Sequence, residues 1–174
     1  DFFHAVLEEI DFSKDDTIAP AVNRNLDRYV FSGLGMQKSV CDAVKQILST
    51  ALAADGGDRF CLADITADNR FCELEFSFSL DRLDMAALAT LFANQKETAQ
   101  YANRLSRMDI PGFKGFLKGF IDLVVRHEGK WYIMDYKSNY LGSGFKDYTT
   151  DAMDHAMVSH DYILQYHLYL AALD

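Results

Sequence analysis

The chain is poor in proline, in cysteine and in net positive charge, and each shortage excludes something. Two prolines among 174 residues exclude a proline-rich linker or a collagen-like repeat. The three cysteines, Cys41, Cys61 and Cys72, are widely spaced and form no Cys-x-x-Cys pair. That leaves a zinc ribbon or an iron–sulfur clip without ligands, and a disulfide framework without partners. They read as buried free thiols, and the expected localisation is cytoplasmic. No apolar run approaches the ~20 residues needed to cross a bilayer. The opening Asp1-Phe2-Phe3-His4 already follows an amphipathic pattern, unlike a secretory leader. No Gly-x4-Gly-Lys-Ser/Thr loop occurs, so this chain has no phosphate cradle for ATP. Lys and Arg number 17 against 26 Asp and Glu, a formal charge of -9. At first sight this opposes a nucleic-acid partner, because phosphate binding needs local positive charge.

What is present is a globular composition. Hydrophobic residues make up 49% and aromatics 13%, enough for one domain over residues 1–174 with its own core. No cap precedes Phe2, and a helical pattern still runs at Asp174. The chain is therefore expected to be a fragment truncated at both ends. Phe3, Val6, Leu7 and Ile10 recur at helical spacing, which predicts a short helix over 2–10. Residues 11–23, with Pro20, read as a loop, and 24–31 as helix. Ser39 caps an expected helix over 40–54 that Gly56-Gly57 ends. Residues 71–80 alternate as a half-buried strand, with Glu73, Glu75, Ser77 and Ser79 on one face. Met85, Leu88, Leu91 and Phe92 mark the apolar side of a helix over 84–99. A further helix is expected from about 149 to the end. His155, His160 and His167 then fall on its solvated or DNA-facing side, and Trp131 reads as core.

The densest signal lies between Lys118 and Lys137. Residues 118–126 form an apolar, β-branched run, His127–Lys130 a turn in which Gly129 takes positive φ, and 131–137 a return strand. Asp122 interrupts the first apolar run, and a buried carboxylate is costly unless paired or metal-bound. Asp135 and Lys137, two apart on the return strand, share a face, and the Tyr136 carbonyl is left available near it. Two carboxylates with further oxygen donors suit Mg²⁺, and a lysine beside them can touch a water or a phosphate oxygen. The set fits metal-assisted phosphodiester hydrolysis. An Asp122–Lys137 salt bridge is the plain structural alternative, and the spacing D-x12-D-x-K alone is common.

Here the residues reach a family. GFLKGFIDLVVRHEGKWYIMDYKSNYLG, from Gly115 to Gly142, closely resembles the RecB nuclease-domain family of exodeoxyribonuclease V, within the PD-(D/E)xK superfamily. FFHAVLEEIDF at 2–12 resembles the family's helix with a metal-binding histidine, ELEF at 73–76 its acidic strand, and LQYHLYLAAL at 164–173 its QxxxY motif. The resemblance implies an α/β, restriction-endonuclease-like core, a central mixed β-sheet flanked by helices. It implies an Mg²⁺-dependent exodeoxyribonuclease with one or two ions, acting within a RecBCD-type helicase-nuclease in double-strand break repair and recombination. His4, Asp122, Asp135 and the Tyr136 carbonyl would hold metal, and Asp122, Asp135 and Lys137 would carry catalysis. Glu75, preferred over Glu73, would support the metal, and Gln165 and Tyr169 would position the strand or the DNA. The implied partners are DNA, RecC-like and RecD-like subunits, and RecB helicase domains that alone would bring ATP; no membrane is involved. Ile121-Asp122 stands where the superfamily has Pro-Asp. A Cas4-like enzyme would need a cysteine cluster that this chain lacks. The other reading is a catalytically silent DNA-binding or subunit-docking module of the same fold. Intact Asp122, Asp135 and Lys137 argue against it.

The charge shortage looks different by segment. Residues 101–146 hold eight Lys and Arg against four acids, and two of those acids are Asp122 and Asp135. The acidity lies in the rest of the chain, so DNA is expected to need delivery by a partner or motor.

Overall fold

The computed structural model describes residues 2–31, 35–53, 57, 59–81, 84–96, 98–108 and 114–173. The chain divides into two compact units, Asp1–Leu74 with Phe120–Tyr136, and Glu75–Gly119 with Lys137–Asp174. Each has its own buried cluster.

The first unit begins with α1 (Phe2–Glu9), which buries Ala5, Val6 and Leu7. Residues 15–17 form a 3-10 turn that leads directly into α2 (Ile18–Arg28). The expected loop over 11–23 is thus partly helix. Pro20 sits in the first turn of α2, where backbone N–H groups have no intrahelical acceptor, so its missing donor costs nothing. Helix α3 (Gln37–Ser49) buries Val40, Val44 and Leu48, three of the apolar positions read from the periodicity. It begins before Ser39 and ends at Ser49, so Ser39 lies inside the helix, and a two-stranded antiparallel sheet follows, β1 (Leu52–Ala53) and β2 (Arg59–Phe60). Of the glycine pair expected to end α3, Gly56 lies outside the described residues. The core gathers Val6, Ile10, Val22, Val44, Leu48, Leu123 and Val125.

A second sheet has the order β3-β4-β5, with β3 at Arg70–Leu80, β4 at Gly115–His127 and β5 at Lys130–Met134. Strands β4 and β5 are antiparallel, from Leu123↔Met134 to His127↔Lys130. Glu128 (φ 47) and Gly129 (φ 80) make a two-residue turn whose left-handed pair matches the strand twist. Helices and antiparallel sheets together meet the expected α/β class. Strand β5 is shorter than expected. It stops at Met134, so no strand places Asp135 and Lys137 on one face. Trp131 is not core: 55% exposed, it pairs in register with Arg126, whose guanidinium lies 5.8 Å from its ring centroid. Strand alternation puts both on the face opposite buried Val125.

In the second unit, α4 (Met85–Ala93) is capped by Asp84, whose carboxylate accepts from the Ala86 and Ala87 N–H groups at 3.1 Å. The expected helix over 84–99 ends at Ala93, and α5 (Ala99–Leu105) follows separately. Leu91 faces outward; Met85, Ala89 and Phe92 pack with Tyr101, Leu105 and Ile163. The C-terminal helix is two helices, α6 (Thr150–Ser159) and α7 (Tyr162–Leu173), because Asp161 is left-handed at φ 61. His167 is half-buried, not solvated. Its ring lies 4.5 Å from Phe92, and its Nδ1 is 2.7 Å from the Ile163 carbonyl.

Gly119 on β4 lies under Phe76 of β3. A Cβ there would meet the Phe76 ring at 2.6 Å. Phe76 is itself edge-on to Tyr169. Gly119→Ala is expected to cost about 1–3 kcal/mol through overpacking, read as a lower urea midpoint with an unchanged slope.

Candidate metal centre

The hairpin register, carried one step past its last pair, sets Asp122 opposite Asp135. Beyond the last β4–β5 pair, Asp122 reaches the other arm through its side chain. Its Oδ2 accepts the Tyr136 N–H at 2.9 Å, closing the segment that follows β5. This contact gives the carboxylate in an apolar strand one of the partners its burial demands.

Helix α1 brings His4 to the same place. His4 Nε2 lies 2.9 Å from the Tyr136 carbonyl oxygen, and Nδ1 lies 3.7 Å from Asp122 Oδ2. A carbonyl can only accept, so Nε2 donates to it, and the ring turns Nδ1 toward Asp122. The Tyr136 carbonyl, expected among the metal ligands, also orients the imidazole.

The third member is Glu73. His4, Glu73 and Asp122 each offer a ligand atom within 4.8 Å of the other two. Strict alternation makes Glu73 and Glu75 equivalent, and the structure separates them. Glu73 is left-handed inside β3, at φ 50, where side chains rarely sit. That backbone distortion, worth about 1–3 kcal/mol, breaks the two-residue period locally. Glu75 keeps the outward direction and pairs with Lys118 at 2.6 Å. Nothing in the sequence marks Glu73 as left-handed, since it is neither glycine nor asparagine. Asp135 is half-buried just past β5 and is not one of the trio.

Burial pushes the Glu73 carboxyl above its usual range, and the negative charges of Asp122 and Glu8 push it the same way against His4. A bound cation would reverse that destabilisation. One imidazole nitrogen and two carboxylates suit a hard or borderline divalent ion, and the residues fit Mg²⁺ or Mn²⁺.

Lys137 forms one chain of contacts with Gln165 and Tyr169, about 30 positions further on, in the second unit. Lys137 Nζ donates to Gln165 Oε1 at 2.9 Å and lies 4.3 Å from the Tyr162 ring centroid. Gln165 Nε2 donates to the hydroxyl of buried Tyr169, and the Tyr162 hydroxyl donates to Asn139 Oδ1 at 3.0 Å. The i and i+4 spacing of Gln165 and Tyr169 puts them on one face of α7, which is why the pair can act as a single clamp.

The whole chain, residues 1–174, matches the family model described as the PD-(D/E)XK nuclease superfamily. It is 34% identical to the RecBCD enzyme subunit RecB of Escherichia coli (strain K12) over 174 residues, 99% of this chain and 14% of that protein. The RecB subunit of Haemophilus influenzae is 29% identical over 184 residues, covering 94% of this chain and 14% of that protein. That of Mycolicibacterium smegmatis is 34% identical over 131 residues, 64% of this chain and 12% of its own length. The chain thus spans about one seventh of the length of the first two relatives.

Proposed function

The chain belongs to the PD-(D/E)XK nuclease superfamily and is homologous to RecB, and from that premise we propose that it is an Mg²⁺-dependent DNA nuclease domain. Its reaction is hydrolysis of a phosphodiester: water attacks phosphorus, one P–O bond breaks, and a hydroxyl and a phosphate monoester leave. The observation that carries this reading is the His4, Glu73 and Asp122 trio, with Tyr136 tying His4 to Asp122. His4, Glu73, Asp122 and Asp135 would hold the ion, with the Tyr136 carbonyl, which also fixes the imidazole. A bound Mg²⁺ would supply Lewis acidity toward the phosphoryl oxygens. Lys137, next along the chain from Tyr136, would orient the attacking water and stabilise charge as it develops. Gln165 and Tyr169 are positioning residues that hold the lysine. The wider reading is exonucleolytic action in the cytoplasm, within a RecBCD-type assembly that repairs double-strand breaks. RecC-like and RecD-like subunits and ATP-driven helicase domains deliver the strand.

The test is digestion of single-stranded DNA with Mg²⁺, with EDTA, and by Asp135→Ala. Cleavage that survives EDTA or the substitution overturns the mechanism. A folded protein that binds no Mg²⁺ and cuts nothing would favour a silent DNA-binding or docking module. Glu73→Gln is expected to weaken Mg²⁺ binding by about tenfold or more in calorimetric titration. Glu75→Gln, which loses only an exposed pair with Lys118, should shift it by less than about twofold. Equal effects of the two would remove Glu73 from the metal site.

A further inference from the structure

The segment after Lys137, residues 138–148, reads SNYLGSGFKDY. It keeps three aromatic rings in water: Phe145 is 95% exposed, Tyr140 77%, and Tyr148 is also on the surface. A single exposed ring is ordinary. Three within nine residues, held by a braced turn, are not.

The bracing is local and specific. Residues 145–147 form a 3-10 turn, and the Asp147 carboxylate accepts the Gly144 N–H at 2.9 Å. The Asp147 N–H in turn donates to the Gly144 carbonyl at 2.9 Å, and Tyr148 N–H to the Phe145 carbonyl at 3.1 Å. The Leu141 N–H reaches the Tyr148 hydroxyl at 3.5 Å. Gly142 lies so close to the Asp147 side chain that any Cβ would collide with it. The turn therefore fixes Phe145 outward by its own hydrogen bonds, leaving it 95% exposed.

The composition says what such rings fit. A protein-docking patch would be contiguous and apolar. Here the rings are separated by Gly142, Ser143, Gly144 and the exposed ammonium of Lys146. Ring faces beside an exposed ammonium suit unstacked bases on a phosphate backbone, since every base has a π-face. The same stretch closes the basic segment 101–146, with eight cations against four acids.

We infer that Tyr140, Phe145 and Tyr148, with Lys146, form a stacking platform for the bases of single-stranded DNA. The inference rests on the DNA-nuclease reading and can fail separately from it.

The test compares wild-type protein with the double variant Tyr140→Ala/Phe145→Ala, whose exposed rings leave folding unaffected, as a thermal melt would verify. Fluorescence anisotropy in EDTA measures binding to an oligothymidylate of about 12 nucleotides, and to an abasic strand of the same length. Wild type is expected to prefer the base-bearing strand by about fivefold or more, and the double variant to lose that preference while keeping its affinity for the abasic strand. With Mg²⁺, the variant's KM for the base-bearing strand should rise by a similar factor, with kcat unchanged. A variant that keeps the preference, or a wild type that has none, overturns the platform. A wild type that shows the preference but cuts no DNA with Mg²⁺ overturns the nuclease reading and leaves the platform standing.

Discussion

Asp122→Asn is expected to lower Mg²⁺-dependent DNA cleavage by at least about a hundredfold and to abolish calorimetric Mg²⁺ binding at concentrations that saturate the wild type. Asparagine keeps an oxygen that can accept the Tyr136 N–H, so the hairpin and the segment after it should hold their conformation. What the substitution removes is one negative charge beside Glu73 and opposite the Nδ1 of His4. Asp122 is one of the charges that push Glu73 upward, so the metal-free variant should melt no lower than the metal-free wild type. Mg²⁺ should raise the melting temperature of the wild type and leave that of the variant unchanged. The combination separates a metal ligand from a structural residue. A purely structural Asp122 predicts a lower melting temperature and an intact response to Mg²⁺.

Asp161→Ala is expected to destabilise the protein by roughly 2–3 kcal/mol, adding a lost buried hydrogen bond to a left-handed alanine. The hydroxyl of fully buried Tyr101 donates to Asp161 Oδ1 at 2.8 Å. Arg104 donates to both carboxylate oxygens of Asp161, with Nη2 at 2.9 Å from Oδ2, and to the Ser159 carbonyl at 2.9 Å. Asparagine tolerates the φ of 61 and keeps an acceptor, so Asp161→Asn should cost only about 1 kcal/mol. Hydrogen bonds from Arg104, then from Tyr101, hold the Asp161 carboxyl below its ordinary range despite its partial burial. A depressed carboxyl contributes stability that is fully present above its unfolded pKa of about 3.9 and is lost as pH falls through the folded value. Wild type should therefore lose part of its margin over Asp161→Asn below about pH 4. Asp11, held at about 2 chiefly by Lys14 and Ser13, loses its contribution in the same range in both proteins, so the difference between them isolates Asp161. Urea midpoints at pH 3 to 7 give the measurement. A constant difference across that range would dismiss the charge as the cause.

Much of the fold was legible where period and chemistry agreed. Val40, Val44 and Leu48 at helical spacing, the β-branched run around Asp122, and the Glu128-Gly129 turn each specify their element locally. The misreadings have local reasons of their own. Pro20 suggests a loop until its place in the first turn of a helix is known. The continuous helical pattern after residue 149 hides a break made by one aspartate in a left-handed conformation. Trp131 is large and apolar, yet the register with Arg126 turns it to solvent.

For the candidate sites, residue types and family resemblance were enough to nominate His4, Asp122, Asp135, Tyr136 and Lys137, and Gln165 with Tyr169 as an i, i+4 pair. The order of residues determines which groups exist and which local element each one joins, because propensity and periodicity act over a few positions. Only the tertiary structure decided that Glu73 and not Glu75 joins His4 and Asp122, that the Tyr136 carbonyl steadies the imidazole, and that Gln165 grips Lys137. Those outcomes depend on a single backbone dihedral and on contacts between segments up to 132 positions apart, which no local pattern encodes.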